Sequence, residues 1–281
     1  MLDIDFIIDK ALEEDLGEGD HTTLSIIPEG TQGKAHLMIK QPGILAGVEV
    51  AKRVYKRFDP ELKMSIFYTD GSEVKPHDLV YTVEGSARSI LQTERLVLNI
   101  MQRMSGIATQ TKQYVDKISD LKTKILDTRK TTPCLRSLEK MAVKTGGAVN
   151  HRYGLYDMIL IKDNHIDFAG GIPQALERVK KYLAEKNLDI KIEIEVRDFD
   201  ELNQVLEIGG VDRIMLDNFS VADTRKAVEL VAGRVELESS GGITLETIRD
   251  YALCGVDYIS VGALTHQIKS LDMSLKKNID K

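Results

Sequence analysis

Beyond about residue 122 the chain repeats one pattern: a short apolar run, a polar step, then a stretch whose apolar positions recur at helical spacing. The runs fall at residues 124–126, 158–161, 190–196, 213–216, 235–237 and 258–261. Strand and helix alternating in this way predict parallel strands joined by helical crossovers. The spacing is regular, with 22 residues from Glu195 to Asp217, 23 more to Ser240 and 22 more to Gly262, so one βα unit fits each interval. Within 190–196 the two-residue period sets Lys191, Glu193 and Glu195 on one face and Ile192, Ile194 and Val196 on the other. The aliphatic face is expected to meet helices, and the glutamates to point inward.

The first third follows a different rule. Residues 1–16 form an acidic amphipathic stretch that reads as helix, and strand candidates at 35–40, 63–68 and 80–83 alternate between flanking Gly, Pro and Asp, which predicts antiparallel pairing. From about Ile90 the period becomes helical, with Ile90, Val97, Met101 and Met104 on one side and Gln92, Arg95, Asn99 and Gln102 as a polar stripe on the other. The pair Ser105-Gly106 predicts a break or kink before the pattern resumes at Thr109. The tail, residues 274–281, is short and charged and is expected to fray.

A parallel barrel gathers its ligands at the C-terminal ends of its strands. Asp127, Lys162, Glu195, Asp217, Ser240 and Gly262 all lie at or just after such ends. Three loops there, Asp127-Thr128-Arg129-Lys130-Thr131-Thr132-Pro133, Asn150-His151-Arg152 and Ile161-Lys162-Asp163-Asn164-His165, bring together two Arg, two Lys and two His. Like charges held this close repel unless an anion neutralises them, so the expected ligand is strongly anionic. A guanidinium such as Arg129 holds a carboxylate bidentately, and a lysine such as Lys130 is a movable point charge suited to phosphate.

Taken singly, each group has an ordinary structural reading: a polar loop ended by Pro133, a turn after Gly146-Gly147, a surface lysine trailing an apolar strand. Their joint placement at strand ends favours a site. Glu195 and Asp217, at neighbouring strand ends, match the one or two carboxylates that Mg²⁺ usually takes alongside substrate phosphates. Ser240-Gly241-Gly242 and Val261-Gly262-Ala263 follow the last two strands, where barrels often hold a phosphate through backbone N–H groups.

Composition narrows the ligand further. Thirty-eight Lys and Arg stand against 44 Asp and Glu, and a net charge of -6 would repel a long polyanion, so a small multiply charged anion is expected and nucleic acid is not. No apolar run is long enough to span a bilayer. The six His include no HExxH pattern, which argues against a zinc hydrolase. Cys134 and Cys254 form no CxxC pair, and the first 16 residues show no basic leader or cleavage site, so a reduced, cytoplasmic setting is expected.

The ordered motifs Glu94-Arg95, Leu98-Asn99, Ser105-Gly106-Ile107-Ala108-Thr109, the three cationic loops, Gly146-Gly147, Leu216-Asp217-Asn218, Glu238-Ser239-Ser240-Gly241-Gly242-Ile243 and Ser260-Val261-Gly262-Ala263-Leu264-Thr265-His266 cover essentially the whole chain. Together they resemble the quinolinate phosphoribosyltransferase family, also called carboxylating nicotinate-nucleotide pyrophosphorylases. There are two departures: Cys134 stands where the family usually has Gly, and Thr145 to Ala148 is less Gly-rich and lacks the common Cys.

The resemblance implies an α/β protein with an N-terminal α/β sandwich (residues 1–106), an incomplete, open parallel α/β barrel of TIM-like type (107–265) and a C-terminal segment (266–281) returning to the first domain. It implies transfer of phosphoribosyl from phosphoribosyl pyrophosphate to quinolinate with decarboxylation, giving nicotinate mononucleotide, pyrophosphate and CO₂ in de novo NAD synthesis. It further implies a homodimer with shared active sites. Arg129, His151, Arg152 and Lys162 would line the quinolinate site, Arg95 would enter from the neighbouring subunit, and Thr128 would join the substrate-binding loop. Lys130 and Lys162 would contact the phosphoribosyl donor, and Glu195 and Asp217 would lie near its ribose and Mg²⁺, directly or through water. Ser240, Gly241, Gly242, Val261, Gly262 and Ala263 would hold the 5′-phosphate. Catalysis would fall to Lys130, Lys162, Glu195 and Asp217. The rival readings are a paralogue acting on another heteroaromatic acid and a non-catalytic phosphometabolite-binding protein.

Overall fold

A computed structural model of the chain describes residues 3–277. Its contacts group the chain into two compact units. One holds the residues up to Lys112, Thr131–Gly147 and the chain from Leu264 on, and the other holds Gln113–Lys130 and Ala148–Ala263.

In the first unit the alternating segments form β1 (Gln32–Ile39), β2 (Gly43–Ile44), β3 (Lys63–Ile66), β4 (Glu73–Val74) and β5 (Leu79–Ser86). β1 pairs antiparallel with β5, β5 with β3, and β2 with β4, as the turn-rich flanks predict. Leu37, Ile39, Tyr81 and Val83 are buried. The helix Val48–Phe58 adds Val54 and Tyr55 to this core, where the Tyr55 and Tyr81 rings meet edge-on at 6.0 Å and their hydroxyls lie 3.1 Å apart.

The helix Ala87–Lys117 runs without a break through Ser105-Gly106, against the expected kink. Both residues are small because other backbone comes close. Ser105 Oγ accepts from the Ala46 N–H at 2.9 Å and donates to the Ala46 carbonyl at 3.0 Å, and a Cβ at Gly106 would sit 2.4 Å from the Lys269 carbonyl oxygen. This turn of the helix therefore serves as a contact surface, which a local breaker signal conceals. Arg103, on this helix, pairs with the buried carboxylate of Glu139 at 2.6 Å, and the other Glu139 oxygen accepts the Thr132 N–H at 3.2 Å, which anchors the Thr-Thr-Pro loop. In that loop Cys134 has φ 65°, the left-handed region that favours glycine.

The second unit is a six-stranded parallel sheet built from β6 (Lys124–Leu126), β7 (Ile159–Ile161), β8 (Ile192–Val196), β9 (Arg213–Asp217), β10 (Glu236–Ser240) and β11 (Tyr258–Ser260), ordered β6-β11-β10-β9-β8-β7. Every pairing is parallel, with helices between successive strands. No ladder joins β6 to β7 among the described residues, so the barrel is open there, with a single bridge from Leu126 to Val149. Register puts Glu195 opposite Met215 and Met215 opposite Glu238, and likewise Glu193 opposite Arg213 and Arg213 opposite Glu236. With the two-residue period, Glu193 and Glu195, Arg213 and Asp217, and Glu236 and Glu238 therefore share one face of the sheet. Ile192, Ile194, Val196, Ile214, Leu216 and Leu237 fill the other and are buried.

The last strand, β12 (Met273–Lys277), pairs antiparallel with β1, with Met273 opposite Ile39. Residues 273–277 are thus an edge strand of the first unit's sheet and not a frayed tail, because alternation buries Met273 and Leu275; residues 278–281 lie outside the described residues. No helix among the described residues is long and apolar enough to cross a membrane.

Gly106→Ala gains about 1 kcal/mol of helix propensity but forces carbon against backbone. Overpacking of this kind costs about 1–3 kcal/mol. With backbone as the obstacle, a net loss of stability is expected, read as a lower urea midpoint; an unchanged or higher midpoint would show that the Lys269 segment moves aside freely.

Candidate active site

The loop after β6 is held by Asp127. Its side chain is fully buried and accepts the His151 backbone N–H at 2.8 Å, while its own N–H donates to the Val149 carbonyl at 3.2 Å. The Val149 N–H donates in turn to Ile125 at 2.9 Å, so the segment leading to His151 is zipped alongside β6. Thr128 Oγ1 accepts the Lys130 N–H at 3.0 Å, a turn that leaves Arg129 and Lys130 exposed. Arg152 is buried and donates through Nη1 to the Met158 carbonyl at 3.1 Å. Burial lowers its pKa and the positive charge of Arg129 lowers it further, while Glu193 and Asp157 oppose both effects. Arg129 and Arg152 thus lie within electrostatic reach of each other.

Lys162 follows β7 and begins the helix Asp163–Ala169, its backbone N–H donating to Nδ1 of His165 at 2.9 Å. The half-exposed Lys162 ammonium lies 3.2 Å from Oε2 of the mostly buried Glu195. Burial raises the pKa of Glu195; Lys162 counters this and Asp217 adds to it. Two carboxylates at adjacent strand ends, with Asp217 disfavouring the charge on Glu195, are a donor set that could hold a divalent cation such as Mg²⁺.

Asp217 accepts from the Asn218 side-chain amide at 2.8 Å, and the Asn218 N–H donates to the Ser240 carbonyl at 2.9 Å, joining the ends of β9 and β10. Gly241 (φ 99°) has to be glycine, since a Cβ there would lie 2.2 Å from Asn218 Oδ1. Beside it Gly242 (φ 60°) faces open space. At the end of β11 the Val261 N–H donates to the Leu126 carbonyl at 2.9 Å, with Gly262 and Ala263 half-buried beyond it. The second unit therefore brings Thr128, Arg129, Lys130, His151, Arg152, Lys162, Glu195, Asp217, Ser240, Gly241, Gly242, Val261, Gly262 and Ala263 to the ends of its strands. Arg95 belongs to the first unit, exposed on the helix Ala87–Lys117.

Beneath these residues lies a group that sequence reasoning missed in part. Arg213 pairs with Glu238 at 3.0 Å and Glu236 at 3.3 Å and lies over the Tyr258 ring at 3.8 Å. His151 Nε2 is 2.9 Å from Glu193 and 3.5 Å from Glu238, and its Nδ1 accepts the Arg152 N–H at 2.7 Å. Alternation had placed Glu193 inward; the same reasoning applied to Arg213-Met215-Asp217 and Glu236-Glu238-Ser240 would have found the rest. The nearest groups to the His151 ring nitrogens are the Arg152 N–H on one side and the carboxyl groups of Glu193 and Glu238 on the other. Full burial pushes Glu238 up to about 8 and Glu193 adds to the rise, while His151, Ser260 and Arg213 pull the other way.

Residues 20–105 match the N-terminal domain of quinolinate phosphoribosyl transferase, and residues 107–276 match its C-terminal domain. The chain is 45% identical to quinolinate phosphoribosyltransferase [decarboxylating] 1b of Nicotiana tabacum, over 98% of this chain and 82% of that protein. It is 40% identical to the probable nicotinate-nucleotide pyrophosphorylase [carboxylating] of Bacillus subtilis, over 93% and 89%. Among solved structures, NadC from Streptococcus pyogenes superposes with a TM-score of 0.91 at 40% identity, covering 98% of this chain and 97% of that one.

The Glu238 shift has a measurable sign. Its folded pKa lies above the ordinary 4.5, so the folded chain holds the extra proton, and stability from this residue falls as pH rises from about 4.5 through about 8. Glu238→Gln mimics the neutral acid and removes that dependence. Urea unfolding at both ends of the window is expected to show wild type losing stability relative to Glu238→Gln toward high pH; a constant difference would mean that the carboxyl is already ionised throughout.

Proposed function

This chain belongs to the quinolinate phosphoribosyltransferase family, and on that premise we propose how its own residues divide the work. The activity is transfer of phosphoribosyl from phosphoribosyl pyrophosphate to quinolinate with decarboxylation, which yields nicotinate mononucleotide, pyrophosphate and CO₂ in de novo NAD synthesis. The observation that carries the assignment of roles is the convergence of Arg129, Arg152 and Lys162 on the strand ends where Glu195 and Asp217 also lie.

In this reading Arg129 and Arg152 take the two carboxylates of quinolinate, with Lys162 beside them. Lys130 and Lys162 hold the charged donor, and Thr128 shapes their loop. The backbone at Ser240-Gly241-Gly242 and Val261-Gly262-Ala263 holds the 5′-phosphate, supported by the glycine at 241 that only a missing Cβ allows. The pyridine nitrogen attacks the anomeric carbon as the bond to pyrophosphate breaks. Glu195 and Asp217 favour the cationic ribosyl group that develops, and Lys130 and Lys162 favour the departing charge. As CO₂ departs, the C–C bonding pair stays on ring C2, where the adjacent positive nitrogen stabilises it electrostatically until that carbon takes a proton. The protein's contribution is orientation and partial removal of water.

Glu195 and Asp217 would hold Mg²⁺, directly or through water, and the ion would supply charge neutralisation for pyrophosphate. We assign the active assembly as a homodimer in which Arg95 reaches the partner's site, a reading supported by its exposure on a polar helix face. Two free thiols, Cys134 and Cys254, support a reduced, cytoplasmic setting.

Incubation with quinolinate, phosphoribosyl pyrophosphate and Mg²⁺ is expected to give nicotinate mononucleotide with one CO₂ per turnover from the 2-carboxylate. Nicotinate leaves one of these cations without its carboxylate, at about 1–3 kcal/mol or more, and is expected to be used at least about fivefold less well. Efficient nicotinate turnover without CO₂ would overturn the acid-binding assignment. For Arg95, mixing inactive Arg95→Ala and Lys162→Ala subunits is expected to restore activity, since a hybrid dimer carries one intact site; no recovery despite demonstrated subunit exchange would refute the shared site.

A further inference from the structure

Three residues distant in sequence meet one guanidinium of the first unit. Arg103, on the helix Ala87–Lys117, donates through Nε and Nη2 to Glu139 Oε1 at 3.0 and 2.6 Å. Through Nη2 it also donates to the Thr132 hydroxyl at 2.8 Å and reaches the Thr265 carbonyl at 3.4 Å. Glu139 Oε2 accepts the Thr132 N–H at 3.2 Å. Thr132 is thus gripped twice, at its hydroxyl and at its amide, by two groups that are themselves paired. Beside it the Arg136 guanidinium donates to the Thr131 hydroxyl at 2.9 Å.

These grips fall where the chain changes units. It passes from the second unit to the first between Lys130 and Thr131, and again between Ala263 and Leu264. Thr132 lies two residues beyond Lys130, and Thr265 two beyond Ala263. Arg103 therefore touches the loop after β6 and the segment after β11 just past the points where each leaves the second unit. The Glu139 carboxylate is only 1% exposed, and a buried carboxylate has to be paired. Such a pair adds little stability over apolar packing of the same volume. What it adds is geometry, since a planar fork with fixed N–H directions holds its partners in one arrangement, which a flexible ammonium does not.

We propose that Arg103 and Glu139 are positioning residues for the phosphoribosyl donor: held through Thr132 and Thr265, the segments that carry Lys130 and residues 261–263 keep a fixed relation, so that the donor's pyrophosphate and its 5′-phosphate are met at a set separation. The assignment of these segments to the donor rests on the reading given under Proposed function, whereas the grip on Thr132 does not. Quinolinate depends on it less, because Arg152 and Lys162 stand outside the gripped segments and only Arg129 lies on one of them.

Steady-state kinetics and hydrogen exchange on the whole enzyme test this. Thr132→Val removes the hydroxyl and keeps the shape, the amide and the buried ion pair. It is expected to raise KM for phosphoribosyl pyrophosphate about tenfold, the scale of losing one hydrogen bond to a charged group, and KM for quinolinate by no more than about twofold. Thr132→Ser, which returns the hydroxyl, is expected to recover most of the loss. Arg103→Lys keeps a cation for Glu139 but cannot span Glu139 and Thr132 at once. It is expected to match Thr132→Val, and the double variant is expected to be little worse than either single. Equal rises in both KM values, a Ser variant as impaired as Val, or fully additive effects would refute positioning of the donor. Should Arg103→Lys fail to fold, the Val and Ser pair decides alone. Exchange of the Lys130 and Thr132 amides, each hydrogen-bonded in the wild type, is expected to quicken about tenfold in Thr132→Val. Unchanged exchange would overturn the grip without any turnover being measured. A wild type that forms no nicotinate mononucleotide while its variant exchanges as expected would instead count against the substrate reading.

Discussion

A charged barrel interior has to be neutralised from within, and in this protein one guanidinium does most of it. Parallel barrels are normally filled by branched aliphatic side chains. Here the inward positions of β8, β9 and β10 carry Glu193, Glu195, Arg213, Asp217, Glu236 and Glu238. Arg213 lies among them, paired with two glutamates and resting over Tyr258. An unpaired buried charge costs several kcal/mol, so the carboxyl groups under the site are tolerable only because Arg213 is there and Glu238 keeps its proton. What lies above depends on this layer. Glu193 and Glu238 lie 2.9 and 3.5 Å from His151 Nε2, and Glu195, two residues along the same strand face from Glu193, meets Lys162.

The resulting site separates two electrostatic tasks in space. Cations come from the loops after β6 and β7, and carboxylates from the ends of β8 and β9. Lys162 joins the two halves through Glu195. A substrate pair in which one partner brings carboxylates and the other develops positive charge at carbon matches that polarity. Stabilisation of this kind comes from charges placed before the substrate arrives, in surroundings that hold little water.

Much of this was legible in the sequence because the relevant signals are local. The six parallel strands announced themselves as apolar runs at near-equal spacing, and the residues at their ends gave the site. Ser105-Gly106 was misread because glycine marks both a break and a close approach, and only Lys269, more than 160 residues later, decides between them. The strand at 273–277 was hidden for a similar reason: its partner β1 lies near the other end of the chain. His151 could be counted among the candidate residues, but which way its nitrogens point depends on Glu193 and Glu238, contributed by two separate strands. Charge in a loop is visible in one dimension, whereas the consumption of that charge by a neighbour is not.

The close charge grouping of Arg213, Glu193, Glu238 and His151 also constrains how the family can diverge. Removing any one of them strands the charges of the others, while replacing the whole set with well-packed apolar residues can be neutral or even favourable to stability. Single substitutions at these positions therefore meet a barrier that a concerted change avoids. Drift in this layer is confined to coordinated steps, and these positions are expected to covary as a block among relatives even where the loops above them change freely.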